Sequence, residues 1–486
     1  MNDLLERTKP TSFLDRTFKL TERRSSVGQE IRGGLVTFFA MSYILVLNPI
    51  ILSTPDSTGH FLGGGTEGAN TPAIAAGTAL VAAVMSILMG SVANFPMAMA
   101  AGLGLNAMLA YTIVSLPGMT WADAMGIVVL EGILIFVLVM TGLREAIFKA
   151  VPSFLKTAIS VGIGLFIALV GLVNAGIVRP GGGTPLDLGI NGSIASWPLV
   201  VFLIGLLSIT ILMVKKVRGA ILIGIVIATA AAIALEAILK LGGQTPDGSN
   251  PGGWGLTVPA LDGSPVSVPE FSTLGTFSIT GPFEKISIIA VLVLVFSLML
   301  ADFFDTMGTM VAVGSEAELL DANDNPPRMR QILAIDSLGA IAGGVGGVSS
   351  NTAYIESTTG VADGARTGLA SIVTGTLFLL STFLAPLAGM IPYEAATPAL
   401  VIVGFLMMQQ VANIDWKDLV VGIPAFLTIV FMPFSYSITV GIGMGFISYA
   451  ILAGVSRRKV HPLLWIVSAL FVLYFVRGPI EAALGL

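Results

Sequence analysis

Gly343-Gly344-Val345-Gly346-Gly347-Val348-Ser349-Ser350-Asn351-Thr352-Ala353-Tyr354-Ile355-Glu356 lies between apolar runs, but so many small and turn-forming residues cannot make an ordinary membrane helix. The stretch has a counterpart earlier in the chain. Phe95-Pro96-Met97-Ala98-Met99-Ala100-Ala101-Gly102-Leu103-Gly104-Leu105-Asn106 carries Pro and Gly at short intervals and then a helical run. Non-helical backbone at membrane depth leaves N–H and C=O groups unpaired, which is tolerated only where protein or a wet cavity covers them. Two such breaks at matched positions point to a transporter binding site near the bilayer midplane. The plainer reading, glycines that only allow close helix packing, accounts less well for the matching.

Around the breaks the chain is a membrane protein by composition. Of 486 residues, 55% are hydrophobic and 11% charged, against about 25% charged in soluble domains. Mean hydropathy is +0.91. With no cysteine, disulfides, thiolate metal sites and cysteine catalysis are excluded. No cofactor, resident metal or nucleic-acid partner is expected. Residues 1–30 are polar and charged and do not read as a cleavable signal peptide.

Apolar runs near 34–52, 73–91, 121–141, 157–173, 197–214, 219–239, 285–312, 331–345, 367–390, 398–411, 419–433 and 436–455 are candidate spans. With the broken segments 94–115 and 348–362 they predict fourteen crossings, and 461–476 reads as a short interfacial or re-entrant helix. Residues 1–32 hold seven Lys and Arg, and none occurs from Gly33 to Leu143. The later clusters (Arg144, Lys149, Lys156; Lys215, Lys216, Arg218; Arg328, Arg330; Arg457, Arg458, Lys459) share the side of a cytoplasmic N-terminus if fourteen crossings are counted. Arg179 is the exception. Each half has its break third in order, and seven is odd, so the halves insert with opposite orientation.

Acids carry the candidate chemistry. Asp302 and Asp305 stand at i, i+3 at the inner end of the run Ile286–Leu300. A carboxylate at bilayer depth costs roughly 2.5–3.5 kcal/mol on insertion scales, so it is rarely there without a task. Two carboxylates in low dielectric cannot both ionise cheaply, so the pair is suited to loading and unloading a proton. Thr306 and Thr309 continue the polar stripe. Asn106 and Glu356 stand just after the breaks, where an amide and a carboxylate suit a flat heterocycle with alternating donors and acceptors. Half-helix N-termini at the breaks would meet at one point and add free N–H donors. Glu131 and Asp336, lone acids in apolar runs, read as structural hydrogen-bonding residues. Glu316, Glu318, Asp321 and Asp324 read as a solvated loop, and Arg366 as a cytoplasmic anchor.

The motifs Ala301-Asp302-Phe303-Phe304-Asp305-Thr306-Met307-Gly308-Thr309, Asn351 to Gly360, and Gly102 to Met108 resemble those of the AzgA-like purine permeases, members of the nucleobase–ascorbate transporter superfamily. The resemblance runs over nearly the whole chain. It implies an all-α polytopic fold of fourteen transmembrane segments in a 7+7 inverted repeat like that of the uracil permease. The expected division is a cytoplasmic segment 1–30, core halves 31–141 and 284–390, gate halves 142–239 and 391–455, an external loop 240–283 and a C-terminal interfacial segment 456–486. The resemblance also implies proton-coupled import of adenine, guanine or hypoxanthine across the inner membrane by movement of core against gate, in a lipid-embedded homodimer joined through the gate. By motif, Asn106, Asp302 and Glu356 correspond to purine-contacting positions, and Thr306, Ala353 and Thr358 join the candidate set. Asp302, Asp305 and Glu356 are the proton-coupling candidates. The uracil permease's eighth-span histidine aligns with Thr309, so a histidine-based proton step does not carry over. Anion transport on the same architecture remains open, as does an intramembrane Asp-dependent enzyme; the first needs a cation near the breaks, and Arg366 is nearest in sequence.

Overall fold

The computed structural model describes residues 12–142, 151–181, 184–245, 249–260, 264–321 and 325–476; Arg144, Lys149 and Asp324 lie outside these. The first half folds into α1 (Val27–Met41), α2 (Ile44–Ile51), α3 (Thr71–Leu88), strand β1 (Met99–Ala101), α4 (Leu103–Met108), α5 (Trp121–Thr141), α6 (Ser153–Asn174), α7 (Trp197–Val214) and α8 (Ala220–Leu239). The second holds α9 (Ile288–Glu316), α10 (Met329–Val345), strand β2 (Asn351–Ala353), α11 (Ser357–Ala362), α12 (Gly368–Ser381), α13 (Pro398–Met408), α14 (Leu419–Phe434), α15 (Ile438–Val455) and α16 (Pro462–Phe475).

Short polar side chains set the helix starts, because the first N–H groups have no partner within the helix. Ser26, Asn70, Ser287 and Ser437 each accept a backbone N–H from the first turn that follows. At α5, Thr120 and Asp123 form a reciprocal capping box. The cap at Ser26 starts the first helix earlier than hydropathy alone indicates. Among the described residues ten helices are long and apolar enough to cross a membrane. The remaining expected segments are shorter: the two broken ones, α10 and α14.

Packing joins the halves. α1 and α3 lie against α12, and α5 lies against α10. α6 packs on α13 and α14, α7 on α8 and α13, and α14 on α15. α16 packs against α15 and α9. Glycine permits the closest crossings, as expected where dispersion rather than the hydrophobic effect holds helices together. A Cβ on Gly132 of α5 would sit 2.6 Å from the Ile341 backbone nitrogen, and one on Gly344 of α10 would sit 2.7 Å from a Val129 methyl. In the turn that follows α3, the Gly90 carbonyl oxygen would lie 2.0 Å from a Cβ on Gly368 of α12.

In the loop before α3, burial pushes the Asp56 carboxyl up. Bonds from the Thr58 hydroxyl and the backbone N–H groups of His60, Thr58 and Trp121 outweigh it and hold the group below the ordinary carboxylate value. Asp56 thereby ties that loop to the start of α5.

Gly368→Val should cost roughly 1–3 kcal/mol or more through overpacking, seen as a lower melting temperature in detergent. Gly308→Ala, where an added Cβ meets nothing within 4 Å, should leave the melting temperature unchanged or slightly higher.

Candidate functional site

The broken segments meet as a two-stranded antiparallel ladder, Met99 opposite Ala353, Ala100 opposite Thr352 and Ala101 opposite Asn351. The ladder supplies the bonds that non-helical backbone would otherwise lack at this depth. It is extended by Gly102 N–H to the Ser350 carbonyl (3.0 Å) and Tyr354 N–H to the Ala98 carbonyl (3.1 Å). Side chains complete it. Ser86 Oγ accepts from Met99 N–H at 2.9 Å, Ser357 Oγ accepts from Ala98 N–H at 3.0 Å, and Tyr354 Oη donates to the Ala101 carbonyl at 2.6 Å. Equivalent residues of the two halves pair about Ala100 and Thr352, as strands related by a local two-fold axis must. The expectation that both half-helix N-termini meet at one point needs correcting. Antiparallel pairing sends α4 and α11 off opposite ends of the ladder, about 10 Å apart for three residues.

Asn106 is fully buried on α4, and its Nδ2 donates to Asn48 Oδ1 at 2.6 Å. Asn48 in turn donates to Thr78 Oγ1 (2.8 Å) and to the Val348 carbonyl (3.0 Å). The Asn106 Oδ1 has no hydrogen-bond partner. Glu356, half-buried at the start of α11, accepts the hydroxyl of Tyr43. Tyr43 stands beside Tyr354, ring centroids 6.5 Å apart. Asn48 and Tyr43 escaped the sequence reading, although Asn48 is a lone amide inside Leu45-Val46-Leu47-Asn48-Pro49 and could have been flagged.

Asp302 and Asp305 share a helix turn but not an environment. Asp305 is exposed although protein surrounds it, and open space at Gly308 one turn on marks a cleft along this face of α9. Asp305 lies in the field of Glu356 and Asp336. Asp302 is fully buried, neither carboxyl oxygen has a hydrogen-bond partner, and its charged neighbours are Asp336, Glu131 and Asp305. Glu131 and Asp336 are therefore not lone acids; α5, α9 and α10 bring them to Asp302. Thr306, a candidate for the substrate site, is buried, donating to Asp336 Oδ1 at 2.7 Å and lying 2.8 Å from Thr352 Oγ1.

Of the other candidates, one lies in the ladder and one just after it. Ala353 is enclosed in the ladder, and Thr358 is turned to the Ile355 carbonyl at 2.7 Å. Arg366 donates to the Val361 and Ala365 carbonyls at the end of α11, at 2.6 and 2.7 Å, so it serves as a helix cap. Lys156 of α6 lies over the Phe304 ring, 5.3 Å from its centroid. Among the described residues no group of three His, Asp or Glu is placed to hold a metal ion. Such a centre offers hydrogen-bond donors and acceptors and proton-binding carboxyls, without a cation among the charged neighbours of Asp302 or Asp305.

Comparison with known proteins gives a consistent picture. The model Xan_ur_permease, described as "Permease family", matches residues 28–444. "Adenine permease AdeP" of Escherichia coli (strain K12) is 37% identical over 96% of this chain and 97% of its own length. "Guanine/hypoxanthine permease PbuG" of Bacillus subtilis (strain 168) is 38% identical over 94% of this chain and 98% of its own. Two solved structures share the fold. The transmembrane domain of the cyanobacterium bicarbonate transporter BicA gives a TM-score of 0.55 at 16% identity, covering 86% of this chain and 96% of that one. The structure of SLC26A9 gives 0.60 at 10% identity, covering 95% and 70%.

Tyr354→Phe removes one bond between the two breaks and leaves the Ala101 carbonyl buried. We expect a loss of about 1–3 kcal/mol, measured as a shift in the unfolding midpoint.

Proposed function

Since the chain belongs to the Xan_ur_permease family, we propose that it imports purine nucleobases (adenine, guanine or hypoxanthine) in symport with protons. It is a multi-pass membrane transporter and not an enzyme. The observation that carries the purine reading is the arrangement at the breaks. A free amide oxygen on Asn106 and the carboxyl of Glu356 lie at the two short helices that leave the strand ladder. A purine presents ring nitrogens, N–H groups and an exocyclic amine or carbonyl in one plane, and these two side chains accept and donate in that pattern. Asp305 supports the coupling reading, because it is an acid open to the cleft one turn from the buried Asp302.

In this mechanism a proton enters through Asp305 or Asp302 from outside and purine binds at the ladder. The group α1–α5 with α9–α12 then moves against α6–α8 with α13–α15, releasing both inside. The separate packing of α6, α7, α13 and α14 supports such a division. The Lys and Arg placement supports fourteen crossings with a cytoplasmic N-terminus, and we place the protein in the inner membrane. α7 and α8 leave Leu207, Ile211, Val226 and Ile238 exposed on apolar faces suited to lipid or to a second copy of the chain. Anion transport is disfavoured, since Arg366 is spent on carbonyls and acids surround the α9 pair.

Reconstituted into proteoliposomes, the protein should accumulate radiolabelled purine when the outside is acidic and lose that accumulation when the gradient is collapsed; indifference to the gradient removes proton coupling. Glu356→Gln should weaken purine binding by about 10- to 150-fold, the worth of a hydrogen bond to a charged group, and alter the ranking of adenine against guanine in competition. Unchanged affinity and ranking would take Glu356 out of the site.

A further inference from the structure

We propose that Asn48 is a positioning residue that sets the specificity of the purine site. It fixes the Asn106 amide so that a carbonyl oxygen faces the ligand, which selects free bases, with an N–H on the imidazole ring, against bases substituted there. This rests on the reading of Asn106 as a purine contact and adds the residue that decides which of its atoms the ligand meets.

The relay joins both halves of the chain. Asn48 stands in α2, Thr78 in α3 and Asn106 in α4, while Val348 belongs to the second break, and all four are wholly buried. Two backbone carbonyls, which can only accept, fix the direction of every bond. Thr78 Oγ1 donates its hydrogen to the Ile74 carbonyl at 2.7 Å, so it accepts from Asn48 Nδ2 at 2.8 Å. The Val348 carbonyl accepts from the same nitrogen at 3.0 Å. Both hydrogens of the Asn48 amide are thereby used, and its Oδ1 is left to face Asn106 at 2.6 Å. An oxygen in that place can only accept, so Asn106 turns its nitrogen to Asn48. The atom that Asn106 keeps for a ligand is Oδ1, buried without a hydrogen-bond partner among the described residues.

Turning either amide over brings oxygen against oxygen. For Asn48 the clash is with the Val348 carbonyl, and for Asn106 it is with Asn48. A buried polar group left unmet costs about 1–3 kcal/mol, so the orientation is set before any ligand arrives. The bare Asn106 Oδ1 carries the same cost, which a ligand N–H recovers.

Glu356, which accepts the Tyr43 hydroxyl, is a second acceptor beyond the other end of the ladder. A ligand held between two acceptors must offer N–H groups at both ends. A free purine base does so, with one N–H on its imidazole ring and an amine, an N–H or both on its six-membered ring. With the six-membered ring toward Glu356, the imidazole edge falls to Asn106. A base substituted on the nitrogen that carries the sugar in a nucleoside has only a lone pair on that edge, and a lone pair repels an acceptor.

The test uses the full chain in detergent and measures displacement of radiolabelled adenine by adenine and by 9-methyladenine. Asn48→Leu, Asn48→Ala, Asn48→Asp and Asn106→Ala are compared with the parent. The parent should prefer adenine by about tenfold or more, the penalty for an acceptor facing a lone pair. In Asn48→Leu and Asn48→Ala the Asn106 amide can turn and donate to that lone pair, so the preference should shrink by about fivefold or more. Asn48→Asp keeps an oxygen toward Asn106 and should retain the parent's preference. The bulk of the methyl group is common to all these ratios and cancels between them. Parity between the two ligands in the parent overturns the proposal, whether or not the variants fold. So does an unchanged ratio in both Asn48→Leu and Asn48→Ala, since an equal loss for the two ligands marks a purely structural role. If Asn106→Ala binds adenine as the parent does, the reading of Asn106 as a purine contact falls as well. If Asn106→Ala loses adenine while the Asn48 variants keep the ratio, this inference alone falls.

Discussion

Everything at the centre of this molecule depends on six residues pairing as a ladder inside the membrane. Helices cannot be interrupted in hydrocarbon unless the freed N–H and C=O groups find partners. Here each break is the other's partner, with Ser86, Ser357 and Tyr354 satisfying what the ladder leaves over. The pairing also explains the need for two breaks, because a single one would have nothing to bond to. Inverted halves supply the antiparallel direction, so the ladder and the repeat are one constraint.

Two kinds of polar environment adjoin the ladder. At its two ends Asn106 bonds to Asn48, and Glu356 to Tyr43 beside Tyr354, with the Asn106 Oδ1 an acceptor to spare. Glu131, Asp302 and Asp336 gather where α5, α9 and α10 cross, with the hydroxyls of Ser350, Thr352 and Thr306 beside them. Thr306 and Thr352 connect the two through a 2.8 Å contact. In a low dielectric, charge and hydrogen bonding at linked sites cannot vary independently. That gives the proposed symport a physical basis.

Legibility in the sequence followed the distance over which each feature is determined. The breaks were readable because Gly and Pro act on their own backbone. Tyr43 was not, since a tyrosine in an apolar run gives no sign of a carboxyl more than three hundred positions away. Glu131 and Asp336 were misjudged as solitary because only the α5–α10 crossing makes them neighbours. Nor does residue type show that the Thr306 hydroxyl is held by Asp336, thirty positions on.

By itself the sequence determined that the chain is a polytopic membrane protein with two matched interruptions and acids held at depth. Its hydropathy and its Gly and Pro positions leave no other class. Only the tertiary structure decided which acid meets water and which is sealed. Residues at i, i+3 differ in direction by about 60° on a helix, enough for one turn of α9 to show Asp305 to a cleft and Asp302 to the packed interior.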